Sequence, residues 1–295
     1  MSAKQTFKKD SLFTVKEDDT LMEYLLVAIS HKNRNNIKAL LRHRQIMVNG
    51  AAQTQFDYEL KPEDTVTVKW NKSSETEVST GIRIIHEDKN FFVAHKDAGI
   101  LTYPVKQDSS ASVYSKLLHY AKRKNPKLRL YLVKSLDKDS SGLVIFAKGD
   151  KNQTPLIEAI NATASFTYHA VLEGPLTKGT KGENSIRTYE SKVFKMHFTN
   201  DPKADKSVCE YEVGNASQQY SSVRFVTKGS ESKHQIRMHA LDLGFPIVGD
   251  KKYGSIASPI KRLALHRSRI TFVNPFSKVE ESYDCAKPRK FSRLI

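Results

Sequence analysis

Residues 130–148 read LYLVKSLDKDSSGLVIFAK and place a polar loop between two apolar runs. The runs LYLV and LVIFA have the length and residue types of buried β-strands. The loop between them carries two carboxylates, Asp137 and Asp139, followed by Ser-Ser-Gly. Because buried strands on both sides hold such a loop rigidly, the segment suits either a catalytic carboxylate or a metal site.

Two alternatives compete with catalysis at this loop. Four residues match the first, third, fifth and sixth positions of an EF-hand calcium loop: Asp137, Asp139, Ser141 and Gly142. The twelfth position, where calcium needs a bidentate Glu, is Lys148, and the flanks are strand-like rather than helical. Asp, Ser and Gly are also common turn residues, so the loop taken alone is compatible with a simple turn. The rest of the chain decides between these alternatives.

Four further stretches accompany the loop in a fixed order: EDKNFFVAHKDAG (87–99), FTYHAVLEG (166–174), SKHQIRMHALDLGFPIVGDKKYG (232–254) and RLALHRSRITFVNP (262–275). Together with the loop they resemble the motifs of the RluA-type pseudouridine synthases. The loop is similar to the family pattern H-R-L-D-x-x-T-S-G. The third stretch is similar to T-G-R-x-H-Q-I-R-x-H-x-x-x-x-G-x-P-I-x-G-D-x-x-Y-G, which is highly specific. The resemblance covers about residues 84–275.

The resemblance implies an isomerase that converts uridine in RNA to pseudouridine. This reaction breaks the N-glycosidic bond and rejoins the uracil through its carbon 5. No atom is gained and no redox step occurs, so we expect neither a metal nor a cofactor. The implied fold is an α+β catalytic domain over residues 81–295, with a mixed, mainly antiparallel sheet and a cleft across it.

The resemblance also assigns roles to individual residues. Asp137 matches the family's catalytic carboxylate, which acts as a nucleophile or as a general base, and the sequence leaves both roles open. Arg237 matches the arginine that stabilises this charge. Tyr168 matches the ring that stacks on the uracil and helps to remove the proton from carbon 5. His234 and Gln235, in the same motif as Arg237, are expected to contact RNA.

Two departures from the family patterns predict a divergent member. Lys134 and Ser135 stand where the family has His-Arg, and that arginine is thought to fill the space left by the flipped base. Both residues are still expected to face RNA, although Ser135 is short and uncharged and Lys134 lacks a planar guanidinium. Ser230-Glu231-Ser232 replaces the family's T-G-R. We expect Glu231 to repel phosphate and so to alter the rim of the site.

The first part of the chain predicts a separate RNA-binding module over residues 17–71. Helical spacing in its second predicted helix aligns three cations into a basic stripe, Arg34, Lys38 and Arg42. A strand ending in Asn-Gly and a K-P-x-D turn follow. For the helix alone, the stripe is more typical of a solvated face. The whole order resembles the αL domain of ribosomal protein S4, which implies binding of structured RNA.

The overall charge favours a polyanionic partner. The chain has 295 residues and a mass of 33.4 kDa, with 48 Lys and Arg against 32 Asp and Glu and a pI near 9.6. Residues 1–80 carry 12 basic and 11 acidic residues, whereas 81–295 carry 36 and 21. The run KRKNPKLR (122–129) is a candidate RNA-facing segment. Apolar runs are too short to span a membrane and there is no long basic amphipathic helix, so RNA is favoured over a lipid surface.

The remaining expectations concern organisation and context. Residues 1–16 are expected to form a flexible tail, and the polar segment 72–80 (KSSETEVST) a linker. Two cysteines are too few for a disulfide framework, and we expect a cytoplasmic monomer. Ribosomal RNA is favoured over transfer RNA because of the αL module. The alternative is a non-catalytic RNA-binding protein acting in ribosome assembly, which the altered Lys134-Ser135 pair favours and the retained Asp137, Tyr168 and Arg237 oppose.

Overall fold

The computed structural model describes residues 10–42, 45–68, 70, 76–104, 111–191 and 195–295. The chain folds into two compact units, Met1–Glu75 and Thr76–Ile295. The division falls within the predicted linker. Each unit combines helices with a sheet, so the chain is of the α+β class.

In its described residues, the N-terminal unit has two helices and a small sheet. Its helices are α1 (Leu21–Ala28) and α2 (Arg34–Arg42). Its strands are β1 (Ser11–Thr14), β2 (Asp19–Thr20), β3 (Ile46–Val48), β4 (Ala51–Ala52), β5 (Glu59–Leu60) and β6 (Thr65–Val68). The sheet has the order β1-β6-β3-β4, and β2 pairs separately with β5.

The order of elements predicted for this unit is present. Helix α2 directs Ile37 and Leu41 into the core, where both are at most 2% exposed. After β3, Asn49 and Gly50 have φ angles of 49° and 76°. Asn and Gly accept this left-handed backbone better than other residues do. The Asn-Gly turn therefore reverses β3 into β4, with which it pairs antiparallel.

Two segments differ from the prediction. Ser11–Thr14, placed in a flexible tail, pairs antiparallel with β6, and Val15 beside it is buried. The pairing satisfies backbone groups along β6 and packs Phe13 against the core. Thr76–Ser79, placed in the linker, is a strand paired with residues 82–84. The other parts of these predictions, residues 1–9 and 72–75, lie outside the described residues.

The larger unit is built on one extensive sheet. Its strands are β7 (Thr76–Ser79), β8 (Ile82–Glu87), β9 (Phe91–Lys96), β10 (Leu130–Lys134), β11 (Ser141–Lys148), β12 (Ser165–Glu173), β13 (Lys181–Glu190), β14 (Met196–Phe198), β15 (Asp205–Ala216), β16 (Tyr220–Lys228), β17 (Leu265–Val273) and β18 (Glu280–Asp284). Its helices are α3 (Val113–Lys122), α4 (Gln153–Thr163), α5 (Gln235–Asp242) and α6 (Arg289–Ser292).

The sheet is mixed and mainly antiparallel, as predicted. Its order is β14-β13-β15-β16-β12-β17-β11-β9-β8-β7, with β10 paired to β11 and β18 paired to β17. The pairing of β11 with β17 is parallel and joins two antiparallel halves. Strand β11 is therefore central, and seven of its eight residues are buried.

Gly142 allows this central pairing to form. It lies in β11 with φ of 127°, and a Cβ built there would lie 2.2 Å from the backbone oxygen of Arg267 on β17. Only glycine tolerates such a close backbone approach without displacing a strand. The same residue ends the loop that carries Asp137, so the close pairing also fixes where that loop stands.

Helices cover the two faces of the sheet. Alternate residues of β11 point to opposite faces. Phe146 packs in a core with Leu117 of α3, whereas Ile145 packs in a core with Leu156 of α4. Within the described ranges, none of the helices is long and apolar enough to cross a membrane.

Candidate active site

A cleft of about 550 Å³ lies between the loop that follows β10 and the start of α5. This volume is typical of a small-molecule or nucleotide-sized site. Its lining includes the residues assigned to catalysis from the sequence together with Lys134, Ser135, His234 and Gln235. The catalytic candidates are Asp137, Tyr168 and Arg237, which come from three separate parts of the chain.

Asp137 faces two basic side chains across this cleft. Its side chain is 28% exposed, and its Oδ2 atom lies 3.4 Å from Nη1 of Arg237. The same oxygen lies 3.8 Å from Nε2 of His234. A guanidinium at this distance stabilises negative charge on the carboxylate while part of the group stays open to the cleft.

Arg237 is held by a second carboxylate beneath it. Its Nε and Nη2 atoms donate to the two oxygens of Asp250 at 2.7 and 2.6 Å, and both side chains are almost fully buried. Burial lowers the pKa of Arg237, but the hydrogen bonds and charge of Asp250, with Asp137, raise it above its ordinary value. The bidentate pair leaves Nη1 free to reach Asp137, so Asp250 sets the orientation of the guanidinium.

Tyr168 projects from β12 into the cleft and is 4% exposed. Its hydroxyl donates to Oε1 of Glu231 at 2.7 Å and accepts from Nε of Arg267 at 2.8 Å. Burial, reinforced by Glu231 and opposed by Arg267, raises the pKa of the phenol well above its ordinary value. The phenol therefore keeps its proton at neutral pH, which disfavours a role for the phenolate as a proton acceptor. The aromatic ring remains as the group that can stack on a nucleobase.

Lys96 fixes the loop that carries Asp137. Its side chain is fully buried on β9, and Nζ donates to the carbonyl oxygens of Lys138 and Ser140 at 3.0 and 2.5 Å. Burial lowers the pKa of Lys96 to about 7, although the nearby Asp137 opposes this. The amine thus links the central strands to the backbone just after the catalytic candidate.

His234 and Gln235, which share a motif with Arg237 and are expected to contact RNA, occupy different positions in the cleft. His234 immediately precedes α5 and has a left-handed φ of 55°, and its Nδ1 lies 2.7 Å from the hydroxyl of Tyr253. Burial lowers the pKa of His234 to about 4, so the ring is neutral at pH 7. Gln235 is 6% exposed, and its amide bonds to the backbone of Ser232 and Val208. Its amide therefore supports the wall of the cleft.

The residues that depart from the family pattern are partly withdrawn from the surface. Lys134 has a 13% exposed side chain, and its Nζ lies 3.1 Å from Oε2 of Glu231. The expectation that Glu231 alters the rim by repelling phosphate is wrong. Its side chain is only 6% exposed and its charge is compensated by Lys134 and Arg267. Ser135 remains exposed, and its carbonyl accepts from Arg267.

The basic stripe of the N-terminal unit belongs to α2, as predicted. Arg34 forms an exposed ion pair with Glu23 on α1, with Nη2 and Oε1 2.5 Å apart. The ammonium of Lys38 lies 5.8 Å from the centre of the Phe56 ring. The backbone of Arg42 ends the helix, and its side chain lies outside the described residues.

Reasoning from the sequence missed four residues of the site. Lys96 and Asp250 stand in the stretches 87–99 and 232–254, so their motif positions could have indicated a role. Glu231 departs from the family pattern, but the sequence predicts an exposed position at the rim rather than a buried one. Arg267 stands in the stretch 262–275, which resembles the family pattern R-L-x-L-H-x-x-x-L-x-F-x-H-P, at a position where that pattern allows any residue. No signal in one sequence could have identified it.

Three buried side chains elsewhere in the sheet have the chemistry of metal ligands. The ligand atoms of His95, His266 and Cys285 all lie within 4.8 Å of one another. Burial, with the positive charges of Arg83 and Arg262, lowers the pKa of both histidines to about 3. The same positive charges would repel a metal cation, and His266 already bonds through Nδ1 to the Ser141 hydroxyl at 2.8 Å. These residues are better suited to a hydrogen-bonded core.

Comparison with protein families identifies one family whose model matches this chain. A family model described as RNA pseudouridylate synthase matches residues 90–242, which include the strand and loop residues around Asp137, Tyr168 and Arg237. The matched segment is more than half of the chain.

Individual relatives are similar at low identity. A ribosomal large subunit pseudouridine synthase D of Yersinia pestis is 27% identical over 227 residues, which are 72% of this chain and 69% of that protein. An uncharacterized RNA pseudouridine synthase of Bacillus subtilis is 27% identical over 257 residues, 85% of this chain and 89% of that protein. Among solved structures, human RNA pseudouridylate synthase domain containing 4 has a TM-score of 0.56 at 21% identity, covering 71% of this chain and 90% of that chain. That structural likeness supports the fold.

The buried pair of Arg237 and Asp250 gives a stability prediction. Asp250→Asn removes the charge that compensates the buried guanidinium, so we expect the free energy of unfolding to fall by about 3 kcal/mol. Urea unfolding followed by circular dichroism measures this change. The matched control is Asp284→Asn, which removes the acid of an exposed ion pair with Arg269 and should cost less than about 1 kcal/mol. Equal losses in the two variants would contradict the assignment.

Proposed function

From the premise that this chain belongs to the RNA pseudouridylate synthase family, we propose that it isomerises one or a few uridines in structured RNA, with ribosomal RNA as the favoured substrate. The observation that carries the proposal is the arrangement around Asp137. A partly exposed carboxylate faces the cleft, a buried guanidinium stabilises its charge, and a second carboxylate orients that guanidinium. The chain is an RNA pseudouridine synthase, and the proposal concerns how it acts and on which RNA.

The reaction makes defined demands on these residues. The bond between ribose C1′ and uracil N1 breaks, C1′ bonds to carbon 5, the proton of carbon 5 leaves and N1 gains a proton. Asp137 either forms a transient bond to the ribose or removes a proton from it, and both routes need a charged carboxylate close to the sugar. Tyr168 offers its ring to the uracil, and Arg237 keeps the negative charge of Asp137 compensated.

The target uridine has to leave its stack to enter this cleft. In relatives of the RluA type, the arginine of the loop is thought to fill the vacated space. Here Ser135 occupies that position and Lys134 is paired with Glu231. We therefore expect flipping to depend more on a target that is already unpaired, such as a loop or bulge, because unpaired bases cost less to extrude.

Two features support ribosomal RNA as the substrate. Relatives over most of this chain are named ribosomal large subunit pseudouridine synthase D. The N-terminal unit combines two helices with a small sheet and exposes basic residues on α2. We propose that it is an RNA-binding module of the αL kind, whose cations contact phosphates of a folded RNA.

A second surface is suited to nucleotides beside the target. A groove of about 500 Å³ is lined by Tyr103, Tyr114, Lys122 and Arg129, and Leu132 lines both this groove and the active-site cleft. The two tyrosine rings lie 4.5 Å apart, and Tyr103 is 45% exposed. Exposed aromatic rings next to cations bind unpaired bases and their phosphates. We propose that RNA flanking the target uridine lies in this groove.

Tritium release tests the reaction and the role of Asp137. RNA transcribed with uridine labelled at carbon 5 loses the label to water only when pseudouridine forms. We expect release with the wild type, none with Asp137→Asn, and near wild-type release with the control Asp139→Asn, which removes an exposed acid of the same loop. Absence of release with every ribosomal and transfer RNA that the protein binds would favour the non-catalytic alternative.

Replacement of the basic stripe tests the N-terminal unit. Changing Arg34, Lys38 and Arg42 to Ala should weaken RNA binding and reduce the slope of log K against log salt by up to about 2.7, the value for three phosphate contacts. Filter binding over a range of salt measures both quantities. The control changes Lys287, Arg289 and Lys290 to Ala, which removes the same charge near α6. If the stripe variant has the same RNA affinity and salt slope as this control, α2 is not part of the binding surface.

A separate variant tests the groove. Tyr103→Ala should raise KM for a structured RNA by about 10-fold, since a stacking contact contributes about 1–3 kcal/mol, and leave kcat almost unchanged. Tyr103→Phe keeps the ring and should behave like the wild type. If KM rises as much in Tyr103→Phe as in Tyr103→Ala, or if KM is unchanged in both variants, base stacking in the groove is excluded.

A further inference from the structure

Four side chains form a buried charged cluster against the wall of the cleft: Lys134, Tyr168, Glu231 and Arg267. Arg267 donates to the Tyr168 hydroxyl through Nε at 2.8 Å and Nη2 at 2.5 Å, and Nη2 also lies 2.8 Å from Oε2 of Glu231. Glu231 accepts at Oε1 from Tyr168 and from Thr227. The hydroxyl of Tyr168 therefore accepts two hydrogen bonds and donates one, which leaves its ring little freedom to rotate or tilt.

The same guanidinium also binds the backbone next to Asp137. Nη1 of Arg267 donates to the carbonyl of Ser135 at 2.9 Å and to the carbonyl of Leu143 at 3.1 Å. Ser135 precedes Asp137 by two residues, and Leu143 belongs to β11 on the other side of the loop. Arg267 thus connects both ends of the catalytic loop to the ring of Tyr168 through a single rigid group.

Glu231 supplies the negative charge that compensates the buried cations of this cluster. Burial raises the pKa of Glu231, but the charges of Arg267 and Lys134 more than offset this and lower it below the ordinary value. A charged Glu231 compensates one of the two cations. Without it, two buried positive charges would lie beside the cleft and compete with Arg237 for the carboxylate of Asp137.

The cluster coincides with the places where the sequence departs from the family patterns. Lys134-Ser135 replaces His-Arg, and Glu231 stands where the pattern has glycine. The loop has no arginine of its own at position 135. Instead, the arginine of β17 reaches the backbone at that position, and the new acid balances its charge. The departures are therefore linked to one another by direct contacts.

We propose that Glu231 and Arg267 are positioning residues for the isomerisation, holding the Tyr168 ring and the Asp137 loop at the separation that a flipped uracil requires. The inference rests on the activity proposed above. Neither residue touches the reacting atoms. Both act by restricting two groups that do, and an error of about 1 Å in such groups lowers a rate by up to about 100-fold.

The experiment separates positioning from simple support of the fold. Arg267→Lys keeps the charge but lacks the fork that reaches Tyr168, Glu231 and Ser135 together. Glu231→Gln/Arg267→Gln removes one charge of each sign, so the net charge of the cluster, which includes Lys134, is unchanged. For both variants we expect kcat for tritium release to fall about 10- to 100-fold with KM within about twofold of the wild type. Urea unfolding of each protein shows whether stability changes in parallel.

The matched control is Arg269→Lys, which alters an exposed arginine on the same strand, paired with Asp284. It should leave kcat, KM and stability unchanged. If either cluster variant is as stable as the wild type and also retains its kcat, the cluster has no positioning role. The proposal is equally overturned if KM rises with kcat unchanged, because the cluster would then act in RNA binding.

A second readout does not depend on activity. With ¹³Cζ-labelled tyrosine, the signal of Tyr168 can be assigned by its loss in Tyr168→Phe. It should be that of a hydrogen-bonded phenol that does not titrate up to pH 10 in the wild type, and it should shift in Glu231→Gln/Arg267→Gln. A free, titrating Tyr168 in the wild type would overturn the proposal. An intact signal in a protein that releases no tritium would instead contradict the proposed activity.

Discussion

The guanidinium of Arg237 lies between two carboxylates, and the geometry of the cleft depends on which of its nitrogen atoms bind each of them. Asp250 binds two of its nitrogen atoms from below, so only Nη1 is left to face Asp137. A charge buried this deeply is stable only when it is paired and its hydrogen bonds are made. The pair therefore both anchors the start of α5 and presents one directed positive charge to a carboxylate that stays open to solvent.

The sheet places this pair opposite the loop that carries Asp137. Strand β11 pairs in parallel with β17 through a contact so close that position 142 has to be glycine. On its other side β11 pairs with β9, whose Lys96 binds carbonyl oxygens of the loop. Asp137 is consequently fixed by backbone contacts from two neighbouring strands rather than by its own side chain, which remains available for chemistry.

Charge compensation unites the unusual features of the site. In the sequence, Lys134, Ser135 and Glu231 are separate departures from the family patterns, and an acid at position 231 is unfavourable near RNA. In the structure, Glu231 is buried between Lys134 and Arg267 and bonds to the hydroxyl of Tyr168. Its negative charge is balanced by these two cations, so it leaves no unpaired acid at this wall of the cleft.

The sequence by itself predicted the strands on either side of Asp137, because short apolar runs between polar segments indicate buried strands. Its ordered motifs resemble one family, and that resemblance implied the α+β class and the mainly antiparallel sheet. It also brought Asp137, Tyr168 and Arg237 into one expected site. It placed Ser11–Thr14 and Thr76–Ser79 in a tail and a linker, although both pair with other strands. Only the tertiary structure decided these pairings and the contacts of Asp250, Glu231 and Arg267. Strand pairing and burial of charge depend on partners distant in sequence, and a single chain read residue by residue does not reveal which side chain compensates which.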